Sequence, residues 1–98
     1  TLYLAGHETT ALTLSWSWYL LATHPHVEDL LATEWKVVLN GRTPTADDLT
    51  RLPYTDAVIA EAMRVYPPVY LIGREATRDL ELGGYRVKKG DTAFMSQW

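Results

Sequence analysis

Ala5-Gly6-His7-Glu8-Thr9-Thr10 lies inside a run, residues 2–22, that is otherwise mostly apolar: Leu2, Tyr3, Leu4, Leu12, Leu14, Trp16, Trp18, Tyr19, Leu20 and Leu21. A helix that is apolar on all faces is a core helix or a membrane span. The run therefore predicts a buried helix over about residues 1–23. Into that helix the chain sets one glycine, one carboxylate and two adjacent hydroxyls. Glycine inside a helix costs about 1 kcal/mol relative to alanine, and a buried carboxylate costs more unless it is paired or protonated. Local rules broken together in a well-formed helix are expected at functional sites. A membrane span is the poorer reading, because Glu8 and the hydroxyls of Thr9, Thr10, Thr13, Ser15 and Ser17 dilute the run.

The composition fits a globular chain. Of 98 residues, 47% are hydrophobic and 21% charged, which excludes disorder. The net charge is −3 with bases scattered among acids, and nothing points to nucleic acid. The absence of cysteine removes disulfides, thiolate metal sites and cysteine nucleophiles from this segment. It says nothing about compartment. Neither end reads as natural: Thr1 opens directly into the helical pattern, and Trp98 closes an extended apolar run. The expectation is an internal piece of one larger domain.

Beyond the first helix, Pro25 restricts His24 and suits the first turn of a second helix, over about 25–40. Val27, Leu30, Leu31, Trp35, Val38 and Leu39 form its apolar stripe, and Asn40-Gly41 is a good stop. Thr45 looks like the N-cap of a short helix over 46–52. Pro53 opens a further helix to about 66, closed by Pro67-Pro68. Strands are expected within 69–98: a β-type run at 69–72, a hairpin turning at Gly83-Gly84, and a last strand over 92–98. The order is helices first, then strands, giving a mainly α fold with a small β region.

A second constellation lies in the helix opened by Pro53, which is apolar on most faces. Glu61 and Arg64, three residues apart, share one face and can pair. Most such pairs are solvated and contribute under about 1 kcal/mol, but apolar neighbours here predict a buried pair held by further hydrogen bonds. The chain continues Tyr66-Pro67-Pro68 and then Gly73-Arg74-Glu75-Ala76.

Taken in order, these residues resemble the cytochrome P450 family. Ala5-Gly6-x-Glu8-Thr9-Thr10 matches the family's central-helix pattern A-G-x-D/E-T-T/S. Glu61-x-x-Arg64 followed by Tyr66-Pro67-Pro68 matches its E-x-x-R helix, and Gly83-x-x-x-Val87-x-Lys89-Gly90 resembles the strand pair beyond it. The resemblance is collinear over essentially the whole chain. It implies a partial cytochrome P450 fold, running from the central helix to the sheet beside the haem and stopping short of the family's cysteine-bearing loop. The metal ligand would then lie outside this chain.

The resemblance also implies roles. The whole protein would be a haem-thiolate monooxygenase that inserts one atom of dioxygen into a small apolar substrate, with electrons from a ferredoxin or a flavoprotein reductase. Glu8 and Thr9 would be the catalytic acid and hydroxyl of a proton relay, and their adjacency turns them about 100° apart on the helix. Ala5, Gly6 and Thr9 would lie against the haem, and Arg74 would bind a haem propionate. Val69, Tyr70, Leu71 and Ile72 would line the substrate pocket. Glu61 and Arg64 would be a structural ion pair. A threonine hydroxyl competing for a helix carbonyl can open a helix, which predicts a distortion between Gly6 and Thr10. Localisation stays open: cytoplasmic in a bacterium, or membrane-tethered if an anchor precedes Thr1. Expressed alone, the segment is expected to expose apolar surface and aggregate.

Two rival readings stand beside this one. His7-Glu8-Thr9-Thr10-Ala11 begins like the zinc motif H-E-x-x-H, but its fifth residue is Ala11 and the two-histidine grip fails. The other is a non-catalytic helical scaffold, or a degenerate relative, which makes Glu8, Thr9 and Arg74 ordinary surface residues.

Overall fold

A computed structural model describes residues 1–97. They form two compact units, Thr1–Pro68 and the residues from Val69 onward.

The first unit is helical: α1 (Leu2–Thr23), α2 (Pro25–Leu39), a 3-10 helix (Ala46–Arg51) and α3 (Pro53–Val65). Proline occupies the first turn of both α2 and α3, where its missing N–H costs no helix hydrogen bond. α2 stops at Asn40, which takes the left-handed conformation at φ 49°, and Gly41 follows at φ 82°. The segment after Thr45 winds as a 3-10 helix rather than an α-helix, as short connectors often do.

A small core joins the helices. Leu21 of α1, Leu31 of α2, Leu52 at the mouth of α3 and Ala62 of α3 are buried. Trp16 stacks on Tyr66 with ring centroids 4.2 Å apart, and Tyr19 meets the same ring edge-on at 6.4 Å. The aromatic contacts tie α1 to the end of α3.

The expected burial of α1 is not found. Among its residues only Ser17 and Leu21 are buried, whereas Leu2 is 91% and Tyr3 76% exposed. Burial depends on partners as much as on composition. A helix of 22 residues is about 33 Å long, and its buried residues lie only in the C-terminal half.

A polar cluster closes the loop between α2 and α3. Asp48, 2% exposed, accepts hydrogen bonds from both terminal nitrogens of Arg42 and from the Thr45 N–H (2.9 Å) and hydroxyl (3.0 Å). The Arg42 guanidinium, with the Thr45 donors, holds the Asp48 carboxyl well below the usual carboxylate range. A buried charge survives here because both carboxylate oxygens are held by donors and a guanidinium lies against them.

The second unit holds two antiparallel pairs. β1 (Leu71–Glu75) pairs with β4 (Thr92–Ser96), matching Gly73 with Phe94 and Arg74 with Ala93. β2 (Leu80–Leu82) and β3 (Tyr85–Val87) form the hairpin, turning through Gly83 at φ 59° and Gly84 at φ 83°. Positive φ at both central residues is what a type I′ turn demands. β1 begins at Leu71, not at Val69, although Tyr70 still accepts the Gln97 N–H at 3.2 Å. The last strand ends at Ser96, and Trp98 lies outside the described residues.

Candidate functional site

The sequence places its chemistry in the first three turns of α1. Thr9 is half-buried and donates its hydroxyl hydrogen to the carbonyl of Ala5 at 2.8 Å. The pattern repeats down the helix, where Thr13 bonds Thr9 and Ser17 bonds Thr13 at 2.9 and 2.7 Å. The predicted distortion does not occur: α1 is continuous α-helix from Leu2 to Thr23. The hydroxyl shares the Ala5 carbonyl without displacing the helix.

Gly6 sits beside that bond. A Cβ built there meets no atom within 4 Å, so no packing among the described residues asks for glycine. Glu8 is exposed, contrary to the buried carboxylate expected. Its neighbours explain this: Leu2, Tyr3 and Leu4 are exposed too. Exposure in this stretch is common to every residue type and so does not separate a relay from a scaffold. Tyr3 stacks on His7 with centroids 5.5 Å apart, which gives His7 a packing role.

Glu61 and Arg64 form the expected pair with good geometry. Nε and Nη2 of Arg64 each reach a different oxygen of Glu61 at 2.7 Å. Arg64 pulls the Glu61 carboxyl below its ordinary value, and Glu61 raises the guanidinium in turn. The pair is not buried, however: the side chains are 70% and 58% exposed, arginine first. α3 buries Ala62, and Glu61 and Arg64 lie together on a face turned away from that contact.

In the second unit, Arg74 is exposed, and its one hydrogen bond among the described residues runs from Nη1 to the Gly73 carbonyl at 3.0 Å. It forms no ion pair with Glu75. Neighbours in a strand point to opposite faces, which separates the two. The same alternation divides the substrate-lining run. Leu71 and Ile72 lie on opposite faces of β1, whereas Val69 and Tyr70 precede it.

α1, α2 and α3 also enclose an open cleft of about 500 Å³, walled by Ser17, Leu21, Val27, Tyr54, Val58 and Glu61 among others. None of Ala5, Gly6, Glu8 or Thr9 lines it. Among the described residues, no cluster of three or more His, Cys, Asp or Glu side chains could hold a metal ion. No described helix is long and apolar enough to cross a membrane.

One functional-looking group escaped the sequence reading. Glu34 of α2 receives the N–H of Tyr54 at 2.8 Å on Oε1, and on Oε2 the N–H and hydroxyl of Thr55 at 2.9 and 2.7 Å. Burial pushes the Glu34 carboxyl up, but the Thr55 hydroxyl and the two N–H groups together bring it below its ordinary value. The signal was the mouth of α3. Leu52-Pro53 offers no capping side chain, so the orphan donors need an acceptor from elsewhere.

Comparison with known proteins bears on these groups as a set. The Cytochrome P450 family model matches residues 1–98. A putative cytochrome P450 132 of Mycobacterium tuberculosis is 47% identical over 95 residues, which are 97% of this chain and 21% of that protein. The pentalenene oxygenase of Streptomyces avermitilis is 43% identical over 96 residues, covering 98% of this chain and 21% of its own. A zebra fish cytochrome P450 structure with progesterone superposes at a TM-score of 0.91, with 34% identity over 98% of this chain and 23% of that chain. The chain thus spans about a fifth of the length of the relatives it matches. With the family model matching from end to end, and the fold superposing on a solved member over 98% of this chain, this chain belongs to the cytochrome P450 family.

Proposed function

We propose that the chain is part of a haem-thiolate monooxygenase that inserts one atom of dioxygen into a small apolar substrate, fed with electrons by a ferredoxin or a flavoprotein reductase. The residues present suit the edge and the oxygen-binding face of a haem. Arg74 is an exposed guanidinium with donors left for a propionate. Ala5 and Gly6 reduce one patch of α1 to backbone and a methyl group. The chain has no cysteine, so the thiolate would come from another segment. When bound, the haem would supply the activation of dioxygen, helped by electron donation from a thiolate ligand.

The chain's own residues manage protons and position. Thr9 holds a hydroxyl proton at Oγ1, parked on the Ala5 carbonyl at 2.8 Å, and its oxygen keeps a lone pair for a second partner. Glu8 faces solvent one residue earlier and about 100° round the helix. It can take protons from water and pass them toward Thr9 through bridging water. Arg74 binds and orients a carboxylate, and Glu61 with Arg64 stiffens α3. Val69, Tyr70, Leu71 and Ile72 contribute apolar wall, with Leu71 and Ile72 on different faces.

The observation that carries this reading is the Thr9–Ala5 bond lying beside a helical glycine that no internal contact requires. The test is Thr9→Ala in the full-length protein. Oxygen and electron consumption are expected to persist while product per electron falls at least about tenfold, and Thr9→Ser should retain coupling. Unchanged coupling in Thr9→Ala would remove Thr9 from the relay.

A further inference from the structure

α3 begins in an awkward way. Its N-cap is Leu52, whose side chain can accept nothing, and its first residue is Pro53, which has no N–H. The first free donors are therefore Tyr54 and Thr55. Both are taken by the two oxygens of one carboxylate, Glu34, on a different helix. The Thr55 hydroxyl completes the joint: it donates to Glu34 at 2.7 Å and accepts the indole N–H of Trp35 at 2.8 Å. Two consecutive residues of α2 thus grip two consecutive residues of α3. A negative charge at this place also suits the positive end of the helix dipole.

Such a grip fixes more than the cap. A carboxylate bound by two successive N–H groups ties the first turn of α3 to α2 and opposes sliding or rotation there. Glu61 lies six residues beyond Thr55, or about 9 Å along a stiff helix, so its direction follows from the joint. The other end of α3 is pinned to α1 by the Tyr66–Trp16 stack. The exposed Glu61–Arg64 pair is thereby carried on a strut held at both ends.

We infer that Glu34 is a positioning residue, which caps α3 from α2 and sets the presentation of Glu61 and Arg64, the ion pair that would hold the core around a bound haem. The haem part rests on the function proposed above; the joint itself does not. Glu34→Gln keeps the size and one acceptor oxygen but cannot serve both amides. Glu34→Ala removes the joint, and Thr55→Val removes only the hydroxyl links to Glu34 and Trp35.

The experiment is amide hydrogen exchange with haem absorption spectra, both on the full-length protein. In Glu34→Gln, exchange at Tyr54 and Thr55 should rise about tenfold, with α1 amides unchanged. The haem band of the folded protein should shift in part. Glu34→Ala should lose haem on dilution, and Thr55→Val should fall between Glu34→Gln and the native protein. Stabilisation without positioning would lower Tm and leave the haem band of the folded protein in place, and that result overturns the inference. Unchanged exchange at Tyr54 and Thr55 in Glu34→Gln overturns it as well. If the native protein takes up no haem, the monooxygenase reading fails, while the exchange pattern still decides whether the joint exists.

Discussion

Residues 5–10 of α1 and the α2–α3 joint both set polar groups among apolar ones, and they satisfy them in opposite ways. Thr9 turns inward to a carbonyl four residues away on its own helix. Glu34 reaches across to residues twenty positions distant in sequence and leaves no acceptor idle. The joint sits beside Leu31 and Leu52, both buried, whereas the Thr9 segment is flanked by exposed Leu2, Tyr3 and Leu4. A polar side chain with long-range partners is holding structure. One bonded only to its own backbone keeps its chemistry available.

If the joint is structural, its apolar surroundings must be expensive to hollow out. Leu31→Ala removes a side chain that is 3% exposed and should cost about 2–5 kcal/mol in denaturant unfolding of the full-length protein. Leu39→Ala, at the half-buried end of the same helix, should cost less. Equal costs would mean that the core does not centre on Leu31.

The next effect is a pH dependence at Asp48. Its folded carboxyl is held below the ordinary range, so its contribution is fully present above the unfolded value of about 3.9. As pH falls, the unfolded chain takes up the proton first. The contribution is then lost progressively until the folded carboxyl is protonated too. Melting curves of Asp48→Asn should therefore lie below the native protein at neutral pH and converge on it in acid. A gap that stays constant with pH would show that Asp48 acts through shape, not charge.

The smallest effect is the sharpest test of α1. Gly6→Ala meets nothing within 4 Å and should stabilise the helix by about 0.5–1 kcal/mol. In the assembled enzyme the same methyl should lower turnover, because it occupies the surface proposed for close approach. A variant both more stable and fully active would return Gly6 to the bland side of the comparison.

Where residues act on their own backbone, the sequence was a sufficient guide. Gly83-Gly84 turns a hairpin because glycine accepts positive φ without a steric penalty, and Asn40-Gly41 ends α2 for a related reason. Spacing on one helix was enough to predict that Glu61 and Arg64 pair, since their contact is three residues long. What was not legible depended on partners. Apolar composition promised that α1, Glu8 and the Glu61–Arg64 pair would be buried, yet burial needs a covering element that no local pattern supplies. Glu34 was invisible for the converse reason: a single acid beside the apolar stripe of α2 looks ordinary until the uncapped mouth of α3 is set against it. The opening predicted near Thr9 failed because a hydroxyl can share a carbonyl without breaking the helix.

The Trp16–Tyr66 stack has a consequence in time. The two rings are separated by about fifty residues of chain, and synthesis proceeds at roughly 5–20 residues per second. For several seconds after α1 leaves the ribosome, Trp16 has only the edge of Tyr19, on its own helix, to rest against. The ring stack that ties α1 to the end of α3 can form only once Tyr66 emerges, so this contact is made late in synthesis however early α1 winds.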